Sequence, residues 1–209
     1  MGSPARPYRG VSAERRRSDR RARLIEAGLE LLGQRGWAGT TVRAVCAQAE
    51  LTERYFYESF TDRDELAVAI FDRCAAEAAA AVVAAVEAAP HDARAKARAA
   101  IDAFVGMLSD DPRLARAILV ESLASEALRE RREASLGEFA ALVSEQGRAF
   151  YGERAVPEDD ARLTALALVG ALAELLMRWT DGSLDVSRER LVDHCTGLFV
   201  AAAGVSSSG

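Results

Sequence analysis

Apolar residues recur at helical spacing along this chain, with polar residues between them. Leu24, Ile25, Ala27, Gly28, Leu31 and Leu32 outline a first helix. It starts near Ser18 or Asp19, either of which can cap it, and Gly33 and Gly36 end it. Thr40 or Thr41 caps a short second helix whose inner face is Val42, Val45, Cys46 and Ala49. Thr52 caps a third, over about 52–58. Two short helices joined by so tight a turn are a helix-turn-helix. Thr61 or Asp62 caps a long fourth helix, about 62–88, with Leu66, Ile70, Phe71, Cys74 and Ala78 in one stripe, and Pro90 stops it. Further helices are predicted over about 92–109, 112–123, 125–151, 157–180 and 187–203. Alternating β-branched and polar runs are missing, so the pattern predicts an all-α chain of about nine helices.

The eighth helix is apolar nearly all round in 163-LTALALVGALAELLMRW-179, a pattern of burial from more than one side. Ala167, Gly170, Ala171 and Ala173 would let a neighbouring backbone approach closely. Leu191, Val192, Cys195, Leu198, Phe199 and Ala202 give the ninth helix a wide apolar face. The surplus predicts a homodimer through the eighth and ninth helices.

Charge changes the picture at the N-terminus. The net charge is −5, yet residues 1–66 hold 12 arginines against 10 acids, and eight of the arginines lie within 1–23. Residues 67–209 hold 15 basic and 22 acidic groups. A basic end on an acidic body is the asymmetry of a nucleic-acid-binding region beside a separate domain. With Pro4, Pro7 and Gly10, residues 1–17 read as a disordered basic arm, and 204–209 as a flexible tail. Cys46, Cys74 and Cys195 are far apart and sit in apolar helical patterns, with neither metal nor disulfide spacing. No stretch of about 18 uninterrupted apolar residues is present. A cytoplasmic chain without a membrane partner is expected.

The segment 36-GWAGTTVRAVCAQAELTERYFYESFTDRDEL-66 resembles the DNA-binding domain of the TetR family of transcriptional regulators. Gly36-Trp37, Thr40-Thr41, Ala49, Thr52, Tyr57, Phe60, Arg63, Glu65 and Leu66 match the family's pattern in order and spacing. The resemblance covers about 18–70. It implies a three-helix helix-turn-helix domain over 18–66 and a helical ligand-binding and dimerisation domain over 67–203. Two positions depart from the pattern. Glu50 stands where the turn usually has Gly, at a cost of about 1 kcal/mol if the position is left-handed. Arg63 replaces a customary Lys.

A helix-turn-helix puts the start of its second helix against base edges in the major groove. Here those residues are Thr52, Glu53, Arg54 and Tyr55. Arg54 suits guanine O6 and N7, and Glu53 suits cytosine N4 or the positioning of Arg54. Phosphate contacts fall to Thr41, Arg43, Tyr57 and Arg63, with Thr40 beside them; in the family the tyrosine matching Tyr57 commonly contacts phosphate. Phe56 and Phe60, four apart, belong to the core.

The resemblance further implies a repressor that binds a palindromic operator as a dimer and is released by a small molecule. Candidate pocket residues are Phe104, Met107, Leu119, Phe139, Val143, Met177 and Trp179, with Glu121, Gln146, Glu174 and Arg178 as polar candidates. Such a pocket would take a hydrophobic or amphipathic effector. An enzyme is not expected. The two histidines, His91 and His194, are far apart, and no nucleophile elbow, phosphate loop or zinc motif is present. No catalytic residue, metal or cofactor is predicted.

Overall fold

The computed structural model describes residues 13–154 and 156–205. Residues 1–12 of the expected arm and 206–209 of the expected tail lie outside the described residues. The described chain is all helical: α1 (Ala13–Gly39), α2 (Val42–Gln48), α3 (Glu53–Tyr57), α4 (Arg63–Ala88), α5 (Ala93–Asp110), α6 (Pro112–Ala115), α7 (Glu126–Tyr151), α8 (Glu158–Thr180) and α9 (Arg188–Val205).

The first helix begins earlier than its apolar stripe. Residues 13–17 are helical, not an extension of a disordered arm. The reason is tertiary: the Arg17 guanidinium donates to the Glu58 carbonyl at 2.7 Å, which ties this turn to the domain. At the other end the helix kinks at Gly36 (φ 66, ψ −174), a backbone that only glycine adopts cheaply. The kink turns Trp37 and Thr40 back over the start of α2.

The caps follow from short polar side chains. Thr41 accepts from the Ala44 N–H, Asp62 from the Glu65 N–H, Asp92 from the Ala95 N–H, and Ser125 from the Leu128 N–H. Thr52 stands at the N-cap of α3, but its side chain makes no capping bond. Glu50 takes up the left-handed turn at φ 52.

The segment after Pro112 is not one regular helix. A short α6 passes into a π turn over Arg116–Val120 and a 3-10 turn over Glu121–Leu123. Helical apolar spacing cannot tell these three windings apart over so few residues. Alpha1, the helix-turn-helix and the C-terminal bundle share one continuous core. It runs from Leu24, Val45, Phe56 and Phe60 through Leu66 and Ile70 to Val105, Leu176 and Val192. Gly28 lets α4 close on α1: a Cβ there would lie 2.6 Å from Ile70 Cδ1.

Alpha8 departs from the expected all-round burial. Ala165, Val169 and Leu176 are buried, whereas Leu163 is 66% exposed and Leu166 is also in solvent. Leu198 of α9 is exposed too. Alpha8 is long and apolar enough to cross a membrane by length and composition, yet little of its most apolar window is covered within one chain.

Candidate nucleic-acid interface and the cavity behind it

Phe56 and Phe60 are fully buried and packed ring against ring at 5.6 Å, so they anchor α3 as their spacing predicts. This fixes which residues of α3 face outward. Thr52, Glu53 and Arg54 are exposed, and Tyr57 is 58% exposed with its ring edge on Phe56. Thr41 and Arg43 of the α2 start are exposed on the same domain.

Three expected site residues are placed differently. Thr40 is 1% exposed and donates its hydroxyl to the Gly36 carbonyl at 2.8 Å. Its side chain is turned inward at the kink, unlike that of Thr41. Tyr55 is half-buried beneath the Arg20 guanidinium, 4.5 Å from its ring centroid, so it is not a freely outward ring. Arg63 lies flat on Trp37 at 3.9 Å and donates to the Trp37 carbonyl at 3.3 Å. The guanidinium thus makes a cation–π contact with the indole while its N–H groups serve the carbonyl.

Two acids of this region, Glu50 and Glu58, are each matched by α1 cations. Glu58 pairs with Arg20 at 3.5 Å and with Arg54 at 3.2 Å. Glu50 faces Arg23 at 3.8 Å, and Arg23 also donates to the Ala49 carbonyl at the end of α2. Arg21 stacks over Phe60. The arginines of α1 therefore brace the helix-turn-helix from behind, a role that a charge count alone does not reveal.

A second set of contacts joins this domain to the C-terminal bundle. Glu121 is nearly buried; its carboxylate accepts the Trp37 N–H at 3.0 Å and the Arg116 Nε–H at 3.0 Å. Arg116 donates onward to the Gly33 carbonyl at 3.0 Å. Arg113 binds Glu30 at 2.7 Å, Glu26 at 3.1 Å and Asp111 at 2.7 Å. The Arg113 guanidinium holds the Asp111 carboxyl below its ordinary range. Glu121 is thus a structural acid at the kink, not a pocket residue. No local spacing signals the contacts to Trp37, Gly33, Glu26 and Glu30, which span more than 80 positions in sequence.

Behind this junction the bundle encloses two adjoining cavities of about 240 Å³ and 110 Å³. Phe139 and Val143 line both; Phe104 and Leu119 line the smaller one, and Gln146 the larger. Met107, Met177 and Trp179 line neither and pack into the main core instead, with Trp179 Nε1 donating to the Val186 carbonyl at 2.9 Å. Glu174 and Arg178 pair with each other at 2.7 Å on the surface. Lys96, Arg132 and Tyr151 line cavity walls that periodicity alone did not single out.

The cysteines are buried and free. Burial pushes all three thiols up, that of Cys74 to about 12, so they stay protonated. Among the described residues no group of three or more His, Cys, Asp or Glu side chains is placed to hold a metal.

Residues 24–70 match the bacterial regulatory proteins of the tetR family. No curated protein sequence matches the chain. Solved structures do. The fatty acid degradation regulator FadR from Bacillus halodurans superposes with a TM-score of 0.71 at 16% identity, over 88% of this chain and 95% of that one. A TetR-like transcriptional regulator from Rhodococcus sp. RHA1 gives 0.63 at 21% identity, over 91% and 96%. FadR from Bacillus subtilis, solved with stearoyl-CoA, gives 0.67 at 16% identity, over 87% and 98%. These are regulators, not enzymes. The chain thus carries a tetR-family match over residues 24–70 and shares the fold of these solved regulators along most of its length.

Proposed function

We propose that the protein is a repressor that binds a palindromic operator as a homodimer and leaves it when a hydrophobic small molecule enters the C-terminal bundle. One observation carries this reading. The exposed face of Thr41, Arg43, Thr52, Arg54 and Tyr57 is joined, through Glu121 and Arg116, to the segment that also lines an apolar cavity. Ile118 and Leu119 of the π turn form part of that wall, between the two gripping residues. A ligand that displaces the wall would act on the residues holding the kink.

The uncovered apolar residues of α8 and α9 support the dimer. Leu163, Leu166 and Leu198 are exposed, and Gly170 has open space in front of it. Covering them with the same face of a second copy is the isologous arrangement of a two-fold dimer. A two-fold dimer presents two α3 helices, which requires half-sites about 34–36 Å apart or a multiple of that. That a FadR of this fold takes stearoyl-CoA supports an apolar effector. A protein that acts on an operator works in the cytoplasm.

Selection of bound duplexes from random oligonucleotides tests the reading. A two-fold symmetric consensus, bound by a species of twice the chain mass, is the expected result. An asymmetric consensus bound by a monomer, or no enrichment over non-specific DNA, would overturn it.

A further inference from the structure

The charges on the cavity walls point to the chemical class of the effector. Residues 67–209 contain more acids than bases, 22 against 15. The cavity walls reverse that balance. Lys96 and Arg148 line the larger cavity and Arg132 the smaller, and no Asp or Glu lines either. Everything else on the walls is apolar or neutral.

These cations are only lightly compensated. Lys96 Nζ donates to the Val86 carbonyl at 2.8 Å, a neutral partner that leaves it two further N–H donors. Arg148 meets Glu158 at 3.3 Å, but the two side chains are 42% and 76% exposed, and such an exposed pair is weak. Arg132 is half-buried and has no carboxylate partner among the described residues. Its neighbour Arg131, by contrast, is held by Asp72 and Glu138.

The space has the dimensions of a chain. The two cavities share Val82, Ala100, Ile101, Phe139, Val143 and Phe199, so they adjoin along one wall. A cavity of about 150 Å³ holds benzene. On that scale the larger cavity holds roughly ten carbon atoms and the pair roughly fourteen.

We infer that the effector is an amphipathic anion, an alkyl chain of roughly ten to fourteen carbons ending in a carboxylate or a phosphorylated thioester. Lys96 and Arg148 receive the head at the more polar larger cavity, and the tail runs along Phe139 toward the smaller one. Arg132 adds to the positive field around the tail cavity. The inference rests on the proposed ligand-controlled function.

Calorimetry with dodecanoate, dodecanoyl-CoA, dodecan-1-ol and dodecylammonium, each below its micelle concentration, tests it. At least one anion is expected to bind tenfold or more tighter than the alcohol and the ammonium. The tighter of the two anions identifies the source. Lys96→Gln and Arg148→Gln should each weaken the anion roughly tenfold, the scale of one charge-assisted hydrogen bond, and change dodecan-1-ol binding less than twofold. Ala100→Phe, which narrows both cavities, should shift the preference to shorter chains. Dodecylammonium binding as tightly as both anions, or anion binding unchanged in Lys96→Gln and Arg148→Gln, overturns the inference. A gel shift with the selected operator separates the two readings. Anion binding without loss of operator affinity keeps the ligand class and overturns the effector role. Release by a neutral or cationic chain alone does the reverse.

Discussion

The Glu121 carboxylate, just after the π turn, accepts the backbone N–H of Trp37 at the kinked end of α1, at 3.0 Å. The same carboxylate takes a bond from Arg116, so a single buried acid holds both the kink in α1 and the π turn that follows α6. Glu121→Ala leaves an N–H and a guanidinium without their partner. The expected loss is about 2–3 kcal/mol of unfolding free energy. Urea titration followed by circular dichroism checks it, and a loss under about 0.5 kcal/mol, the scale of an ordinary surface change, would show that the bond is not structural.

Gly36 is constrained in two independent ways. Its φ is 66, and a Cβ would lie 2.7 Å from Glu121 Oε1 and 2.8 Å from Arg116 NH2. Gly36→Ala should therefore cost more than the about 1–2 kcal/mol of a left-handed backbone alone. Gly137, inside α7 with open space around it, provides the opposite case. Gly137→Ala should stabilise by about 0.5–1 kcal/mol. Thermal melts of the two variants should move in opposite directions.

Arg54 and Arg43 should fail differently on DNA. Arg54 stands at the start of α3, exposed and paired with Glu58, and on the proposed function it reads a base edge. Arg54→Ala should weaken the operator by about 1–3 kcal/mol and relax the sequence preference at one position of each half-site. Arg43→Ala should weaken all sequences alike and lower the salt slope by about one. Deleting residues 1–17 removes five arginines and should flatten the slope further. Filter binding between about 50 and 200 mM salt distinguishes these outcomes.

Asp111 links stability to pH. Hydrogen bonds from Arg113 lower its pKa in the folded state from the model-peptide value of 3.8. A depressed carboxyl contributes stability above its unfolded value and loses it as pH falls through the folded value. Wild type should therefore exceed Asp111→Asn in stability at pH 5 and above, with the gap closing below pH 3.8. A gap independent of pH would assign the effect to packing alone.

The helices were legible wherever a residue's role is local. Phe56 and Phe60 share a face and Asp62 caps α4, both from spacing and turn chemistry. Roles set by distant partners were not legible. Thr40 looks like Thr41 in sequence, yet the kink at Gly36 buries one and exposes the other. Tyr55 and Arg63 read as free surface until Arg20 and Trp37 are placed against them. The pocket divided in the same way. Phe139 and Val143 point into space, while Met107 and Trp179, equally apolar, fill the core, and periodicity gives both kinds the same signature.

The bracing of α3 by α1 has a mechanical consequence. Arg17 and Arg20 fasten the end of α3, and Arg23 the turn before it, to one stretch of α1, and Arg113 and Arg116 fasten the other end to the bundle. Between Ala13 and the kink α1 is a rod roughly 34 Å long, at 1.5 Å per residue. A tilt of about 5° where the bundle grips it carries the far end through about 3 Å, the length of one hydrogen bond. On the proposed function, a small shift at the cavity wall would be amplified along this rod into the loss of base contact without deforming the reading head.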